Sequence, residues 1–426
     1  MAKSVRPPVL EAAKPVVPKP NHERCRICGS LLPPPFFDLG PMPLANAFLR
    51  SLDEAAAEPR YPLAVAGCES CGLVQLNHVV PAEQLYRNYI YVSSTSAAVR
   101  AHARWLSQEL PRRYGWSASD LLVEIASNDG TVLKEFQRAG MQVLGVEPAA
   151  NIAALADQAG VPTAVKFFNA ATAKELQGRH GRARAILARH VFAHVDDLHD
   201  FFSGVDALLA DDGVFIVEVP YLGNIIRKLE FETIYHEHLS YIALKPVVAL
   251  CREHQFELVD VDAVDQQGGS VLLHMRRRGR SAVLGPVHAM LEREDFTSPD
   301  AQAAFAARLQ SWRRRFQSTV SELAGQGARF IGYGAAAKAN TLLNYCPDVA
   351  VRLECILDRS SLKHGRFAPG THLEVRPVER WAESRATHMV ILAWNFSEEI
   401  IKQMQPFAER GGRFIVPVPR TDALGD

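Results

Sequence analysis

Seven consecutive residues, "YHEHLSY" from Tyr235 to Tyr241, hold two imidazoles, a carboxylate and two phenols. Ordinary helices and strands rarely concentrate polar groups in this way. A histidine is a general base near neutral pH. A neighbouring carboxylate can hold its ring and tautomer, and a second histidine or a tyrosine hydroxyl can donate to a developing oxyanion. These are the parts needed to remove a proton next to a carbonyl. A second stretch, "RHVFAHVDD" from Arg189, adds His190 and His194. The same composition also permits a second metal site, because alternate residues of an extended "HEH" point the same way, or a polar surface loop.

Two further clusters carry chemistry. Cys25-x2-Cys28 and Cys68-x2-Cys71 account for four of the seven cysteines. Each CxxC turn presents two thiolates to one side of a divalent ion, and two turns complete a tetrahedron. Four soft sulfurs without a redox task suit zinc. A closed site leaves no open position for substrate, so the ion's job is structural. His22 and His78 lie nearby, but four thiols make them unnecessary as ligands. The other cluster is "VEIASNDG", a strand ending on Glu124 that enters a helix through a turn of small residues. Such a turn lets a ligand approach the backbone at a helix N-terminus. Glu147 closes the next strand, where an acidic residue suits a pair of ribose hydroxyls. Dinucleotide enzymes and S-adenosylmethionine (SAM) methyltransferases share this arrangement. The missing GxGxxG leaves no pyrophosphate cradle and favours SAM, and a plain sheet turn is the remaining alternative.

The elements that must position these groups alternate. "LLVEIA", "MQVLGVEP", "ARAILAR" and "VFIVEVP" read as buried strands, separated by the helical stretches "TVLKEFQRAG", "NIAALADQAG" and "HDFFSGVDALLADDG". Alternation of this length predicts a parallel sheet with helices on both faces. The histidine stretches then fall beyond carboxyl ends of strands, where α/β ligands bind. From Gln255, "QFELVDVDAVDQQGGSVLLHMRR" reads as a hairpin. A long polar helix follows it, and then a second α/β texture opens on "ARFIGYGAAAKANTLLNY". The expected fold class is α/β: a small zinc-binding domain over 21–84, a Rossmann-like SAM domain over 85–255 and a second Rossmann-like domain over 256–426. Residues 1–20, rich in Pro, Ala and Lys, read as a disordered tail. Net charge is zero and the hydrophobic share is 48%. No basic footprint points to nucleic acid, and no apolar run reaches membrane-spanning length. Reduced CxxC pairs fit a cytoplasmic protein.

In order and in detail the chain resembles the SAM-dependent sugar C-methyltransferases that act on C-3 of nucleotide-linked 4-keto-6-deoxyhexoses. The likeness runs from about residue 22 to 420 through "YIYVSSTS", "EIASNDGTVL", "HVFAHVDDLHDF", "FETIYHEHLSY", "QGGS", "GYGAAAKANTLLN" and "AWNF". It implies that His238 is the base, with Glu237 setting its orientation and Tyr235 beside it. It implies that His194 sits in the sugar site, with a further hydroxyl from Tyr89 or Tyr91. It places SAM with Glu124 and Gly130 at the methionine end and Glu147 at the ribose, and against Ala126, Asn128, Asp129, Pro148, Phe168 and His190. It places the nucleotide sugar against Tyr333, Gly334, Ala335, Lys338, Asn340 and Asp358, with His236 also on the substrate. A helix N-terminus plus a lysine is a suitable diphosphate seat, although a sheet turn with an exposed lysine reads the same way. Ala126 stands where many relatives carry glycine, and His190 where they often carry asparagine.

The expected activity is therefore C-methylation of an enolate formed next to a ketone, by a monomer or weak dimer. The alternatives are a non-sugar ketone, or methylation of an oxygen or nitrogen on the same scaffold. An NAD-linked oxidoreductase built on the C-terminal half is a rival of another class.

Overall fold

The computed structural model describes residues 21–86, 92–266, 268–294 and 296–417. They form two units, Asn21–Asp38 with Ala64–Trp312, and Leu39–Leu63 with Arg313–Pro417.

The larger unit is built on seven strands: β1 (Leu121–Ile125), β2 (Gln142–Val146), β3 (Thr163–Ala164), β4 (Ala183–Arg189), β5 (Leu209–Pro220), β6 (Phe256–Val264) and β7 (Ser270–Arg277). Their order is β6-β7-β5-β4-β1-β2-β3. Parallel neighbours need crossovers. The helices Thr131–Arg138, Ala150–Gln158, Ala170–His180 and Leu198–Leu208 supply them from β1 through to β5. Side-chain caps start two of these helices, Asn169 Oδ1 accepting from Thr172 N and Asp197 Oδ1 from Asp200 N, each worth about 1 kcal/mol. Only β7 runs antiparallel to its neighbours β5 and β6. Leu106, Leu110, Leu122, Phe136, Leu187 and Ile216 share the core between this sheet and the helix Ala97–Tyr114. Burying a side chain such as Phe136 contributes about 1.5–3 kcal/mol.

The hairpin read from Gln255 onward is present, but it belongs to this sheet. The boundary expected at residue 255 therefore lies inside one hydrogen-bonded unit, because β7 pairs with β5 from Ser270↔Pro220 to Met275↔Phe215. The expected small domain over 21–84 is likewise divided. Its cysteine turns go with the larger unit, where Val74–Gln75 pairs with Ser240–Tyr241 just after the histidine stretch. Leu39–Leu63 goes with the other unit, held by Asn340 Nδ2 donating to Ala45 O and by the Leu49–Phe367 bridge.

The sheet order reverses between β1 and β4. The loops after these strands leave in opposite directions and open a crevice at their carboxyl ends.

The smaller unit has a five-stranded parallel sheet: β8 (Phe330–Tyr333), β9 (Leu353–Asp358), β10 (Val375–Pro377), β11 (His388–Ile391) and β12 (Arg413–Ile415), in the order β10-β9-β8-β11-β12. Ile331, Leu357, Met389, Ile391 and Phe407 fill its core.

Candidate active site

A cavity of about 350 Å³ occupies the crevice between β1 and β4, within the usual range for small-molecule sites. Glu124, Ala126, Asn128, Glu147, Pro148, Phe168 and His190 all line it, together with Arg189, His194, Asp196 and Gln266. Two of the expected cofactor residues do not. Gly130 caps the helix Thr131–Arg138 at φ +74°, where a Cβ would sit 3.0 Å from Val161. Asp129 turns its carboxylate to Ser94 N at 3.0 Å and to Thr131 Oγ1 at 2.7 Å. With Asn128 Oδ1 accepting from Ser93 N at 2.9 Å, it clamps the "VSST" turn onto the cofactor loop.

Glu124 is buried and its Oε2 has no hydrogen-bond partner. Burial pushes its carboxyl up to about 8, against the pull of Arg189 Nη1 at 3.7 Å. Glu147 also rises through burial, although both oxygens accept backbone amides, from Asn128 and Ala149, at 2.9 Å. An unsatisfied buried carboxyl, a pre-oriented one and the apolar side chains of Ile125, Val132 and Phe168 in one lining fit SAM. Its ammonium, ribose diol and adenine need those three surroundings.

Beneath the cavity lies Glu218, fully buried on β5. It takes Arg189 Nε at 2.7 Å, His102 Nε2 at 3.0 Å and His190 Nε2 at 3.1 Å. Burial alone would raise its pKa, but Arg189, His190 and His102 outweigh that and hold it well below the ordinary carboxylate value. Nothing in the local motif flagged this hub; the signal was an ionisable residue inside the apolar run "VFIVEVP". Ala126 at φ +54°, Asn128 at +52° and His190 at +50° line the cavity in the left-handed region. Glycine or asparagine enters that region more cheaply than alanine or histidine does.

His194 lines the same cavity, and His238, outside its lining, packs against His194. His194 and His238 rings pack edge to face, centroids 4.9 Å apart. His238 Nδ1 lies 2.7 Å from the carbonyl of Thr233 and must donate to it. In the neutral ring Nε2 is then the bare nitrogen, and Tyr235 OH donates to it at 2.9 Å. The Thr233 carbonyl thus does the tautomer-setting expected of Glu237. Glu237 and His236 are both buried. His194 Nδ1 is 2.7 Å from Tyr86 OH. The same hydroxyl lies 3.3 Å from the carbonyl of Glu237, to which it can donate. Burial and the neighbouring His190 push the His194 ring down to about 4, so it stays neutral at physiological pH. Tyr86 was not singled out from sequence, although it opens the tyrosine-rich "YRNYIY"; Tyr89 and Tyr91 lie outside the described residues.

The four cysteine thiols lie within 4.8 Å of one another, buried or half-buried and outside any disulfide. Each turn closes the same way, Gly29 N to Cys25 O and Gly72 N to Cys68 O, with both glycines at positive φ. Four thiolates this close repel one another unless a cation neutralises them, and the all-sulfur donor set fits zinc.

Gly334 follows β8 at φ +96°, where a Cβ would come within 2.5 Å of Ala393. Asp358, at the end of β9, accepts from Ala335 N at 2.7 Å and lies 3.7 Å from Lys363 Nζ. Tyr333 OH donates to Gln403. The Lys338 ammonium sits 5.5 Å from the Trp394 ring centroid, and Asn340 is buried on the Ala45 carbonyl.

Comparison with known proteins agrees along the chain. Residues 25–86 match a zinc binding domain model, 101–261 a methyltransferase domain and 265–419 a C-methyltransferase C-terminal domain. The chain is 36% identical to the C-methyltransferase NovU of Streptomyces niveus over 401 residues, 93% of this chain and 96% of that one. It is 32% identical over 100 residues to the ubiquinone biosynthesis O-methyltransferase of Rhodopseudomonas palustris (strain HaA2), 22% of this chain and 38% of that one. A solved SAM-dependent methyltransferase from Clostridium acetobutylicum ATCC 824 is similar at 12% identity and a TM-score of 0.35, over 42% of this chain and 92% of its own. Likeness over nearly the whole length, through three domain models in the same order, makes this chain a member of the SAM-dependent C-methyltransferase family.

Proposed function

We propose that the enzyme methylates the carbon next to a ketone, C-3 of a nucleotide-linked 4-keto-6-deoxyhexose, after His238 has removed its proton. One observation carries this reading. His238 is held with Nδ1 on a carbonyl and an unprotonated Nε2 that accepts from Tyr235 OH, against a neutral histidine at the wall of the cofactor cavity. The Thr233 carbonyl stabilises the imidazolium that forms, because Nδ1–H already points at it. His194 and a tyrosine hydroxyl donate to the enolate oxygen.

Glu124 would hold the cofactor's amino group and Glu147 its ribose. When bound, SAM supplies the electrophilic methyl that the enolate carbon takes up. A base so positioned contributes about 10²–10⁴-fold, and an oxyanion donor about 2.7–4 kcal/mol. In the smaller unit, the turn after β8 with Lys338 is suited to the nucleotide diphosphate. A ketone without a sugar is chemically equivalent at the base, and adding such ketones to the substrate panel separates the two.

The test is mass spectrometry of SAM reactions with a panel of nucleotide-linked keto-sugars. A gain of one methyl on carbon is expected, together with loss of deuterium from the labelled C-3 position without SAM. Methyl found on oxygen or nitrogen, or no washout from any turned-over substrate, overturns the reading.

A further inference from the structure

Arg26 lies inside the first cysteine turn, between Cys25 and Cys28, and its side chain is 1% exposed. Its backbone N donates to Gln75 Oε1 at 2.9 Å, and Gln75 Nε2 returns a bond to Arg24 O at 3.0 Å. The turn is thereby fixed to the strand Val74–Leu76. From this anchor the guanidinium reaches away from the thiols to three acceptors. Nε donates to Asp196 Oδ1 at 3.0 Å, and Nη1 to Leu76 O at 3.0 Å and Leu239 O at 3.3 Å.

Two of these acceptors belong to the active site. Asp196 lines the cofactor cavity. Leu239 directly follows His238, and its N–H donates to the carbonyl of Ala193, the residue before His194, at 2.7 Å. The Leu239 residue is therefore where the two histidine stretches cross, and Arg26 braces it from behind. Burying a guanidinium carries a desolvation cost that an apolar side chain would avoid. The carboxylate it pairs with, Asp196, has a side chain that is 52% exposed and so returns little. Stability accounts poorly for an arginine here; geometry accounts for it well.

We propose that Arg26 is a positioning residue, which uses the rigid metal-binding turn to set the separation of His194 and His238 beside the cofactor cavity. The proposal rests on the roles given to those two histidines. It makes the cysteine cluster more than a staple, because the turn it closes also locates the catalytic pair.

The test uses the full-length, zinc-loaded enzyme with SAM and the nucleotide-linked keto-sugar that the wild type turns over. Displacing catalytic groups by about 1 Å costs on the order of 10²-fold, so Arg26→Met should lose about that much kcat. Its zinc content and its SAM Kd should stay within about threefold of wild type. Arg26→Ala should regain activity on addition of free guanidinium. In ¹⁵N-histidine spectra, His238 should lose its single Nδ1–H tautomer in Arg26→Met, a change read without any substrate. Arg26→Lys, which keeps a charge near Asp196, should fall between the two and serves in place of the methionine variant if that one does not fold. Unchanged kcat and an unchanged His238 tautomer overturn the proposal. So does loss of zinc and SAM binding in proportion to kcat, which would mark a purely structural residue. A parallel His238→Ala control separates the two ideas: if it stays active, the base assignment fails whatever Arg26 does.

Discussion

Glu124 should tie cofactor affinity to pH. Burial lifts its carboxyl to about 8, so most molecules hold it protonated at pH 7 before the cofactor arrives. A carboxyl whose pKa is raised binds an ammonium only after losing its proton, so acid must weaken binding. The incoming α-amino group itself titrates near about 8. The fraction of encounters with both groups correctly charged is therefore greatest near pH 8. It falls roughly 25-fold by pH 6, approaching tenfold per unit. The assay is isothermal titration calorimetry of SAM binding at pH 6, 7 and 8 in two buffers of different protonation enthalpy. About one proton should be released per SAM at pH 6 and close to none at pH 8. Glu124→Gln should flatten the pH profile and weaken binding at pH 8 by about 1.5–3 kcal/mol, the value of a charge-assisted hydrogen bond. It should also raise the ligand-free thermal midpoint above pH 7, because the cost of ionising a buried group is gone. A wild-type affinity that is flat from pH 6 to 8 without proton release refutes the reasoning, as does a glutamine variant that keeps the wild-type slope.

His238→Ala should lower kcat by at least about 10²-fold while leaving SAM Kd within a few-fold, measured by calorimetry beside steady-state kinetics. Glu218→Gln should cost about 3–5 kcal/mol in urea unfolding, because it leaves Arg189 and two histidines around a neutral group. Since its folded pKa is depressed, the stability Glu218 contributes is fully present above its unfolded value and is lost only as pH falls through the folded one. The difference from the glutamine variant should hold from pH 8 to about 5 and shrink below that. Ala126→Gly should unfold at the same urea concentration or higher. Ala126→Val, forcing a β-branched residue into φ +54°, should lose about 1–2 kcal/mol or more.

What the sequence disclosed follows from the range of the forces involved. The parallel sheet was legible because each strand and each crossover helix is a local periodicity. The cavity wall at Glu124 and Glu147 was legible because strand ends and turn residues lie within one short motif. The hairpin at Phe256–Arg277 was legible as a hairpin, but its place in the larger sheet was not. That place depends on register with β5, some fifty residues earlier, and no local pattern encodes it. Tyr86 was hidden for the same reason, since its partner His194 is 108 residues away. The Thr233 carbonyl was hidden because backbone acceptors are the same at every position. Glu218 could have been found: a carboxylate in the middle of an apolar strand has to be paired or neutral.

That last point shows how two buried carboxyls come to opposite charge states. Arg189 stands between them, 2.7 Å from Glu218 and 3.7 Å from Glu124. One guanidinium cannot fully compensate two buried anions. Glu218 is nearer and also receives His102 and His190, so it takes the negative charge. Glu124 keeps its proton for want of a sufficient cation, and its Oε2 stays without a partner. Environments that drive the pKa values of neighbouring acids apart assign them separate tasks. Here the charged acid fixes Arg189 and His190 in the cavity wall, and the neutral one waits for a cation from outside. The arrangement selects a ligand with an ammonium at that end of the cavity. Moving the charge back to Glu124, by Glu218→Gln, should lower the pKa of Glu124 and shift the optimum for SAM binding toward acid. An optimum that stays near pH 8 in a folded Glu218→Gln enzyme would show that the two acids do not share Arg189.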